Sequence, residues 1–198
     1  MINFINDNSE KPYIIFREKY NAALKKKQPA IEAISISSYS LINSEVDSRY
    51  VNLKYLDDKE FIFFTNYNSP KAAAFNSHDQ ITALIYWSSI NVQIRIKAQI
   101  KKTSKEFNQK YFYERSKKKN ALAISSNQSE QIDSYSKVKE NYNLVLKNHD
   151  LKECPDYWGG FSFIPYYFEF WEGDDSRINK REVFEKFDGR WRCSFLQP

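Results

Sequence analysis

Two spacings of apolar residues alternate along the chain and predict a mixed structure in which strands outnumber helices. Residues 12–27 carry apolar side chains at helical spacing, whereas residues 91–101 alternate apolar and polar side chains, as a strand with one packed face does. The same criteria predict helices over residues 12–27, 70–76, 104–115 and 130–148, and strands over residues 33–41, 50–56, 61–65, 81–87, 91–101 and 161–171, with two more within 183–196. Antiparallel strands with helices inserted between them indicate an α+β barrel, not a doubly wound sheet.

Turn residues and apolar runs set the expected boundaries. Residues 43–47 are polar and predict the turn of a hairpin between the first two strands. The run 61–65 is apolar up to its last residue, which indicates a strand buried on both faces. Pro155 and the Gly159-Gly160 pair are expected to break the chain before the last strands, which then turn at Asp188-Gly189. Residues 1–11 are expected to be flexible.

The composition is that of a packed globular protein, so residues 1–198 are expected to form a single domain. Hydrophobic residues make up 41% and aromatic residues 17% of the 198 positions, enough to bury most of the apolar surface without cross-links. Cys154 and Cys193 are too few for a disulfide framework. With only His78 and His149 the chain offers no cluster of metal ligands, so no metal is expected.

The termini and the charge bear on location and partners. The first eight residues lack a basic region followed by an apolar one, and no run approaches the ~20 apolar residues that a membrane span requires. A cytoplasmic protein without a membrane partner is therefore expected. The net charge of +5 and the pI near 9.0 fit either nucleic acid or small phosphorylated ligands. Composition alone leaves both partners open.

Residues 63–71 place an apolar strand directly before a helix start that carries a cation. Ser69 supplies the side-chain oxygen that an N-cap needs, and Pro70 suits the first helical position. The first-turn N–H groups and the helix dipole favour an anion there, and Lys71 adds a full charge. The stretch therefore predicts a phosphate site, with an ordinary capped surface helix as the alternative.

Seven segments, in order along nearly the whole chain, carry a family resemblance. They are residues 48–54, 63–71, 87–95, 111–115, 128–129, 158–160 and 169–173, the last followed by Arg177 and Arg181. In this order and at these spacings they resemble the pyridoxamine 5'-phosphate oxidase family of FMN-binding flavoenzymes. The resemblance implies an α+β, mainly β fold, namely a Greek-key split β-barrel flanked by helices. It also implies a homodimer with two FMN molecules at the interface, each contacted by both chains.

The resemblance assigns roles to individual residues. Arg49 and Lys71 would neutralise the FMN phosphate, with Thr65 and Ser69 as hydroxyl donors. The other positions implied for the cofactor are Val51, Asn52, Leu53, Gln93, Gln128, Ser129, Trp171 and Arg181. The positions implied for the phosphate of a pyridoxine or pyridoxamine substrate are Lys54, Tyr111, Arg115 and Lys119. Arg177 and Asn179 would close over the reacting carbon of the substrate. Each residue alone has a plain alternative, such as a surface ion pair or a core position.

Several positions depart from the family's usual residues. Lys119 stands where the family has serine; a lysine meets a phosphate as a point charge, without the geometry of a hydroxyl. Asn179 stands where the family has histidine and cannot change protonation near neutral pH. Pro70 stands where the family usually has an arginine, which should weaken FMN binding by about 1.5–3 kcal/mol unless Lys71 and the helix cap compensate. The remaining departures are Asn52, Val92, Ser116 and Leu122.

Functions of different classes remain open at this point. The first is an FMN-dependent oxidase that converts pyridoxine or pyridoxamine 5'-phosphate into pyridoxal 5'-phosphate and passes the electrons to molecular oxygen, forming hydrogen peroxide. The second is a diverged split-barrel protein that binds FMN or a vitamin B6 phosphate without that activity, or a flavin reductase with another substrate. Nucleic-acid binding through residues 117–119 is a third alternative, although lysine runs are usually solvated faces.

Overall fold

The computed structural model describes all 198 residues and contains one mixed sheet of ten strands. The strands are β1 (Asn3–Ile5), β2 (Ala33–Ser40), β3 (Glu45–Asn52), β4 (Tyr55–Asp57), β5 (Glu60–Asn66), β6 (Gln80–Trp87), β7 (Val92–Lys102), β8 (Trp158–Glu172), β9 (Lys180–Phe187) and β10 (Arg190–Phe195). The helices are α1 (Lys11–Lys25), α2 (Pro70–Ser77), α3 (Lys105–Glu114), α4 (Lys117–Ser125) and α5 (Tyr135–Asn148), with a 3-10 turn at Ser88–Ile90. The α+β, mainly β class is thus confirmed.

The longest strand, β8, organises the sheet. The strand order is β1-β4-β5-β8-β7-β6-β2-β3. Outside this order, β9 pairs with β8 and β10 pairs with β9. β7 pairs with most of β8, while β5 pairs with its first half and β9 with its second half. Only β1 and β4 are parallel. β3, at one end of this order, also approaches β5, the third strand from the other end, so the sheet curves round on itself.

Aromatic residues fix α1 against the sheet. Phe16 of α1 is fully buried, with its ring 5.0 Å from that of Phe61 and 5.6 Å from that of Trp87. Phe61 also stacks on Phe163 of β8, with ring centroids 5.2 Å apart. Such pairs contribute both buried area and edge-to-face attraction. A smaller cluster joins α4 to α5 away from this core.

The first hairpin differs from its prediction. The turn falls at residues 41–44 and β3 already begins at Glu45, whereas residues 43–47 were expected to be turn. The reason is that β3 starts with exposed residues, so no apolar alternation marks its beginning. The strand predicted over residues 50–56 is divided between β3 and β4, because Leu53 turns into the core between them and its N–H donates to Glu32 O at 2.9 Å.

Two helices also differ from expectation. α4 begins with three lysines and has no apolar period, so the sequence pattern does not predict it. α5 begins at Tyr135 instead of residue 130, because Ser134 accepts a hydrogen bond from the backbone N–H of Lys137 at 3.2 Å and caps the helix there.

Residues near the N-terminus, which were expected to be flexible, contact β4 and α1 in this structure. Asn3–Ile5 pairs with β4 as a parallel strand. Ile2 is buried and its N–H donates to the hydroxyl of Tyr20 at 3.0 Å. The ring of Phe4 lies 5.1 Å from that of Tyr20. Apolar side chains therefore dock this segment on α1.

The Gly159-Gly160 pair lies inside β8 and does not break the chain, which corrects the prediction. A Cβ atom on Gly159 would lie 2.3 Å from the hydroxyl of Tyr67 and 2.4 Å from Nδ2 of Asn108. Those side chains bind the strand itself: Tyr67 donates to Gly160 O at 2.9 Å, and Asn108 Oδ1 accepts from Gly160 N at 2.8 Å. The glycines serve close approach here. The turn predicted at Asp188-Gly189 is confirmed, with φ of +77° at Gly189.

None of the helices is long and apolar enough to cross a membrane. The cytoplasmic location stays a prediction.

Phe61→Ala is expected to lower the free energy of unfolding by about 3–5 kcal/mol, because it removes a fully buried ring and leaves a cavity. Urea denaturation at a fixed protein concentration measures the change. Leu144→Ala is the control, because Leu144 is 57% exposed on α5 and should change stability by about 0.5 kcal/mol or less. Equal losses for both variants would contradict this description of the core.

Candidate active site

A cavity of about 330 Å³ opens beside β3 and β5 and is bordered by α3 and α4. Its lining residues are Tyr50, Val51, Asn52, Lys54, Phe64, Thr65, Lys71, Tyr111, Arg115, Lys119, Gln128 and Trp158. Four of these side chains are cationic and none is acidic. The cavity therefore gathers positive charge that its own lining does not neutralise.

Lys71 is the centre of the first cationic group. Its ammonium nitrogen donates to Gln128 Oε1 at 3.0 Å, to Thr65 Oγ1 at 3.2 Å and to Ser69 Oγ at 3.3 Å. All three partners are neutral. Burial and the nearby charge of Arg49 lower the pKa of Lys71 to about 8. An anion beside this nitrogen would favour the charged form, so the group is suited to a phosphate.

The start of α2 places Lys71 beside β5. Pro70 occupies the first turn, as predicted, and Ser69 holds the N-cap position. The Ser69 hydroxyl does not cap the helix, contrary to expectation; it donates to Asn66 O at 2.7 Å. The tight turn explains this, because Asn68 N donates to the Asn66 side chain at 2.7 Å and leaves the Asn66 carbonyl facing Ser69. Ser69 thus links the end of β5 to the lysine.

Arg49 lies next to this group but outside the cavity lining. Its guanidinium forms an ion pair with the exposed Asp47 and donates to Ser38 Oγ at 2.8 Å. Its charge still contributes to the lowered pKa of Lys71. The two cations therefore share one neighbourhood, but only Lys71 lacks a carboxylate partner.

The second cationic group consists of Lys54, Arg115 and Lys119, with Tyr111 beside them. Burial lowers the pKa of Lys54, and the charges of Lys119 and Arg115 lower it further. Burial also lowers the pKa of Arg115, whose Nη1 atom is buried without a hydrogen-bond partner. Burial raises the pKa of Tyr111 to about 12, so its hydroxyl remains a donor at neutral pH. Arg115 lines the cavity without a carboxylate partner, so its charge is available to an anionic ligand.

Aromatic rings form one wall of the cavity. The rings of Phe64 and Tyr111 stack with centroids 3.7 Å apart, and Trp158 lies parallel to Phe64 at 5.3 Å. The Arg115 guanidinium lies over the face of Trp158, 4.5 Å from the ring centroid. Sequence reasoning gave no role to Tyr50, Phe64 or Trp158. Phe64 and Trp158 belong to apolar strand segments, so only their packing distinguishes them from core residues.

Three residues expected at the cofactor form a row on the outer face of the sheet. Gln93 of β7 pairs with Trp171 of β8, which pairs with Arg181 of β9. None of the three lines the cavity within this chain. The row is braced by the buried Glu169, which accepts from Arg181 Nε at 2.9 Å and from Arg95 Nε at 3.0 Å. Although burial acts in the opposite direction, these arginines hold the pKa of Glu169 below its usual value.

The remaining expected residues also lie outside the cavity. Arg177 and Asn179 sit in the exposed loop between β8 and β9, where Asn179 Oδ1 accepts from Asp174 N at 3.1 Å. Ser129 has a positive φ of 73° and borders a separate cavity. Leu53 is fully buried in the core, so its side chain does not reach the cavity. One chain therefore assembles the two cationic groups at the cavity. The row of Gln93, Trp171 and Arg181 and the loop between β8 and β9 lie outside it.

This arrangement can bind two anionic groups side by side. Lys71 and the hydroxyl of Thr65 offer donors to one, and Lys54, Arg115 and the hydroxyl of Tyr111 offer donors to the other. The hydroxyl of Ser69 is buried and donates to Asn66 O instead. No three His, Cys, Asp or Glu side chains are grouped so that they could hold a metal ion. The chemistry that the cavity supports is phosphate recognition beside an aromatic wall.

Comparisons with known proteins agree over nearly the whole chain. A family model described as the pyridoxine 5'-phosphate oxidase C-terminal dimerisation region matches residues 158–198. The pyridoxine/pyridoxamine 5'-phosphate oxidase 1 of Hydrogenovibrio crunogenus is 32% identical over 194 residues, covering 94% of this chain and 88% of the relative. The pyridoxine/pyridoxamine 5'-phosphate oxidase of Christiangramia forsetii is 32% identical over 196 residues, covering 97% and 91%.

Solved structures share the fold. PhzG from Burkholderia lata, solved with tetrahydrophenazine-1-carboxylic acid, superposes with a TM-score of 0.90 at 22% identity and covers 97% of this chain and 95% of that one. A pyridoxamine 5'-phosphate oxidase-related, FMN-binding protein from Nostoc punctiforme has a TM-score of 0.75 at 14% identity, covering 92% and 97%. The split-barrel fold is thereby confirmed. The chain belongs to the pyridoxine/pyridoxamine 5'-phosphate oxidase family.

Proposed function

We propose that this protein is an FMN-dependent oxidase that forms pyridoxal 5'-phosphate from pyridoxine or pyridoxamine 5'-phosphate. The observation that carries the proposal is a single cavity with two cationic groups and no carboxylate in its lining. FMN and the substrate each bring one phosphate. A phosphate monoester carries about two negative charges at neutral pH, so two such groups match the four cations of the cavity.

The first cationic group fits the phosphate of FMN. Lys71 has only neutral partners, and its pKa near 8 reflects a buried ammonium that an anion would stabilise. The Thr65 hydroxyl borders the same space, Ser69 accepts from the Lys71 ammonium and helps to hold it there, and Arg49 adds charge from beside the cavity. Val51 and Asn52 on β3 then border the space for the ring.

The second group fits the substrate phosphate. Arg115 Nη1 is buried without a partner, and Lys54, Lys119 and the Tyr111 hydroxyl border the same space. Bound FMN supplies the two-electron acceptor that this chemistry requires. The alcohol carbon of pyridoxine 5'-phosphate loses two electrons and two protons to become an aldehyde, and molecular oxygen gains both to become hydrogen peroxide. With the amine, water enters and ammonia leaves.

We further propose a homodimer in which each active site combines both chains. The match to a dimerisation region covers residues 158–198, which include Trp171, Arg177, Asn179 and Arg181. These residues and Gln93 lie away from the cavity of their own chain. A partner that supplies them would complete the ring side of the cofactor site and place Arg177 and Asn179 over the substrate.

Asn179 favours a second candidate function, namely binding of FMN and a vitamin B6 phosphate with little oxidation. Asn179 Oδ1 accepts a hydrogen bond from Asp174 N at 3.1 Å across the loop. A carboxamide side chain cannot act as an acid or a base near neutral pH. The phosphate groups act in ground-state binding, whereas Asn179 would act at the reacting carbon. Affinity and turnover can therefore separate in this protein.

Lys71→Ala is expected to weaken FMN by about tenfold to a hundredfold and to leave riboflavin nearly unchanged, because the lost partner is the phosphate. Arg49→Ala should have the smaller effect, since Asp47 already pairs with that guanidinium. Fluorescence titration of the apoprotein measures both ligands. Lys118→Ala removes the same charge outside the cavity lining and is the control. Equal losses for FMN and riboflavin would count against these roles.

FMN affinity is expected to fall as the pH rises above about 8, by up to about tenfold per pH unit. In the free protein Lys71 loses its proton near that pKa, whereas the bound phosphate requires the ammonium form. Dissociation constants from pH 6.5 to 9.5 test this, with riboflavin as the ligand that lacks a phosphate. Lys71→Arg keeps its charge throughout and should show no such fall. The same slope in that variant would assign the titration to another group.

Asn179→His is expected to raise kcat by up to about a hundredfold with little change in substrate affinity. Lys119→Ser should instead change mainly the affinity, because Lys119 lies at the phosphate. Peroxide release with pyridoxine 5'-phosphate measures turnover, with the Hydrogenovibrio crunogenus relative assayed in parallel. If the unmodified protein matches that relative, Asn179 is an adequate substitute for histidine and the second candidate function falls.

A further inference from the structure

Arg115 differs from the other site arginines in what holds it. Its guanidinium lies 4.5 Å from the ring centroid of Trp158 and 5.9 Å from that of Phe112. Arg49 is held by Asp47, and Arg181 is held by Glu169 with two nitrogens at 2.9 and 2.8 Å from one oxygen. Arg115 has no carboxylate partner, and its Nη1 is buried and unpaired.

The two kinds of support have different electrostatic results. A carboxylate fixes a guanidinium but cancels its charge. An aromatic face also attracts the cation, through the ring quadrupole, and leaves the full charge in place. Arg115 is thus fixed and still positive, which is the state that a phosphate ligand requires. Lys54, Lys71 and Lys119 lack such a ring contact; neutral hydrogen-bond acceptors hold the ammonium of Lys71.

Trp158 is itself held firmly. It is 6% exposed and begins β8, where it pairs with Asn66 of β5. Its ring packs edge-on against Phe112 at 5.0 Å and parallel to Phe64 at 5.3 Å. The ring face toward Arg115 therefore has a defined orientation.

We propose that Trp158 is a positioning residue for the substrate phosphate: its ring seats the Arg115 guanidinium at the cavity wall so that the anion meets it with its charge uncompensated. This role rests on the proposed function only for the identity of the anion. The consequence is that Trp158 contributes to affinity for a phosphate group through Arg115, and not to affinity for the rest of the ligand.

The test uses the FMN-loaded protein and the variants Trp158→Leu, Trp158→Phe, Arg115→Ala and Trp158→Leu with Arg115→Ala. Flavin absorbance titrations give the dissociation constants of pyridoxal 5'-phosphate, pyridoxal and inorganic phosphate. Trp158→Leu should weaken pyridoxal 5'-phosphate and inorganic phosphate by about threefold to thirtyfold and leave pyridoxal unchanged. Trp158→Phe keeps a ring and should retain part of the affinity. In the Arg115→Ala background, Trp158→Leu should have no further effect.

Two results would overturn the proposal. One is an equal loss for pyridoxal and pyridoxal 5'-phosphate, and the other is an undiminished effect of Trp158→Leu without Arg115; either makes Trp158 a packing residue only. If Trp158→Leu does not fold, Trp158→Phe decides instead. Unchanged phosphate affinity in Trp158→Phe would contradict the proposal. Titration with inorganic phosphate distinguishes failure of the positioning role from failure of the proposed function. If it binds through Arg115 and Trp158 while pyridoxal 5'-phosphate does not bind, the proposed function fails and the positioning role stands.

Discussion

Positive charge that the cavity lining leaves unneutralised is the constraint on which the site depends. Lys54, Lys71, Arg115 and Lys119 share one cavity without a carboxylate in its lining. Burial lowers the pKa values of Lys54, Lys71 and Arg115, and neighbouring cations lower those of Lys54 and Lys71 further, so the arrangement costs stability in the empty protein. The closed sheet and its aromatic core hold these side chains together, and ligands that bind only the folded state restore the stability.

Much of the fold could be predicted because its packed faces leave a period in the sequence. The helical spacing of α1 and the alternation of β7 predicted the ends of both elements to within two residues. The turn at Asp188-Gly189 follows from the positive φ that it requires. The start of β3 and all of α4 were missed, because the first residues of β3 are exposed and α4 begins with three lysines and carries no apolar period. The glycines of β8 are needed for contacts with Tyr67 and Asn108 that lie far away in sequence.

The site could be predicted only in part from local sequence. The helix start at residues 69–71 indicated a phosphate site, but Gln128 joins Lys71 from a loop more than fifty residues away. Only the family resemblance connected those segments. Neither approach revealed the aromatic wall, since Phe64 and Trp158 become cavity residues through packing. Gln93, Trp171 and Arg181 do not line the cavity of their own chain, so their proposed place at the cofactor requires the proposed partner chain.

The central claim is that one cavity binds two phosphates through two separate cationic groups. Phosphorus-31 NMR of the protein with FMN and pyridoxal 5'-phosphate tests it most directly, because each ligand carries a single phosphorus atom. The account predicts two distinct bound signals, with the FMN signal shifted or lost in Lys71→Ala and the pyridoxal 5'-phosphate signal shifted or lost in Arg115→Ala. A single bound signal, or one variant that removes both signals while the other changes neither, would contradict it.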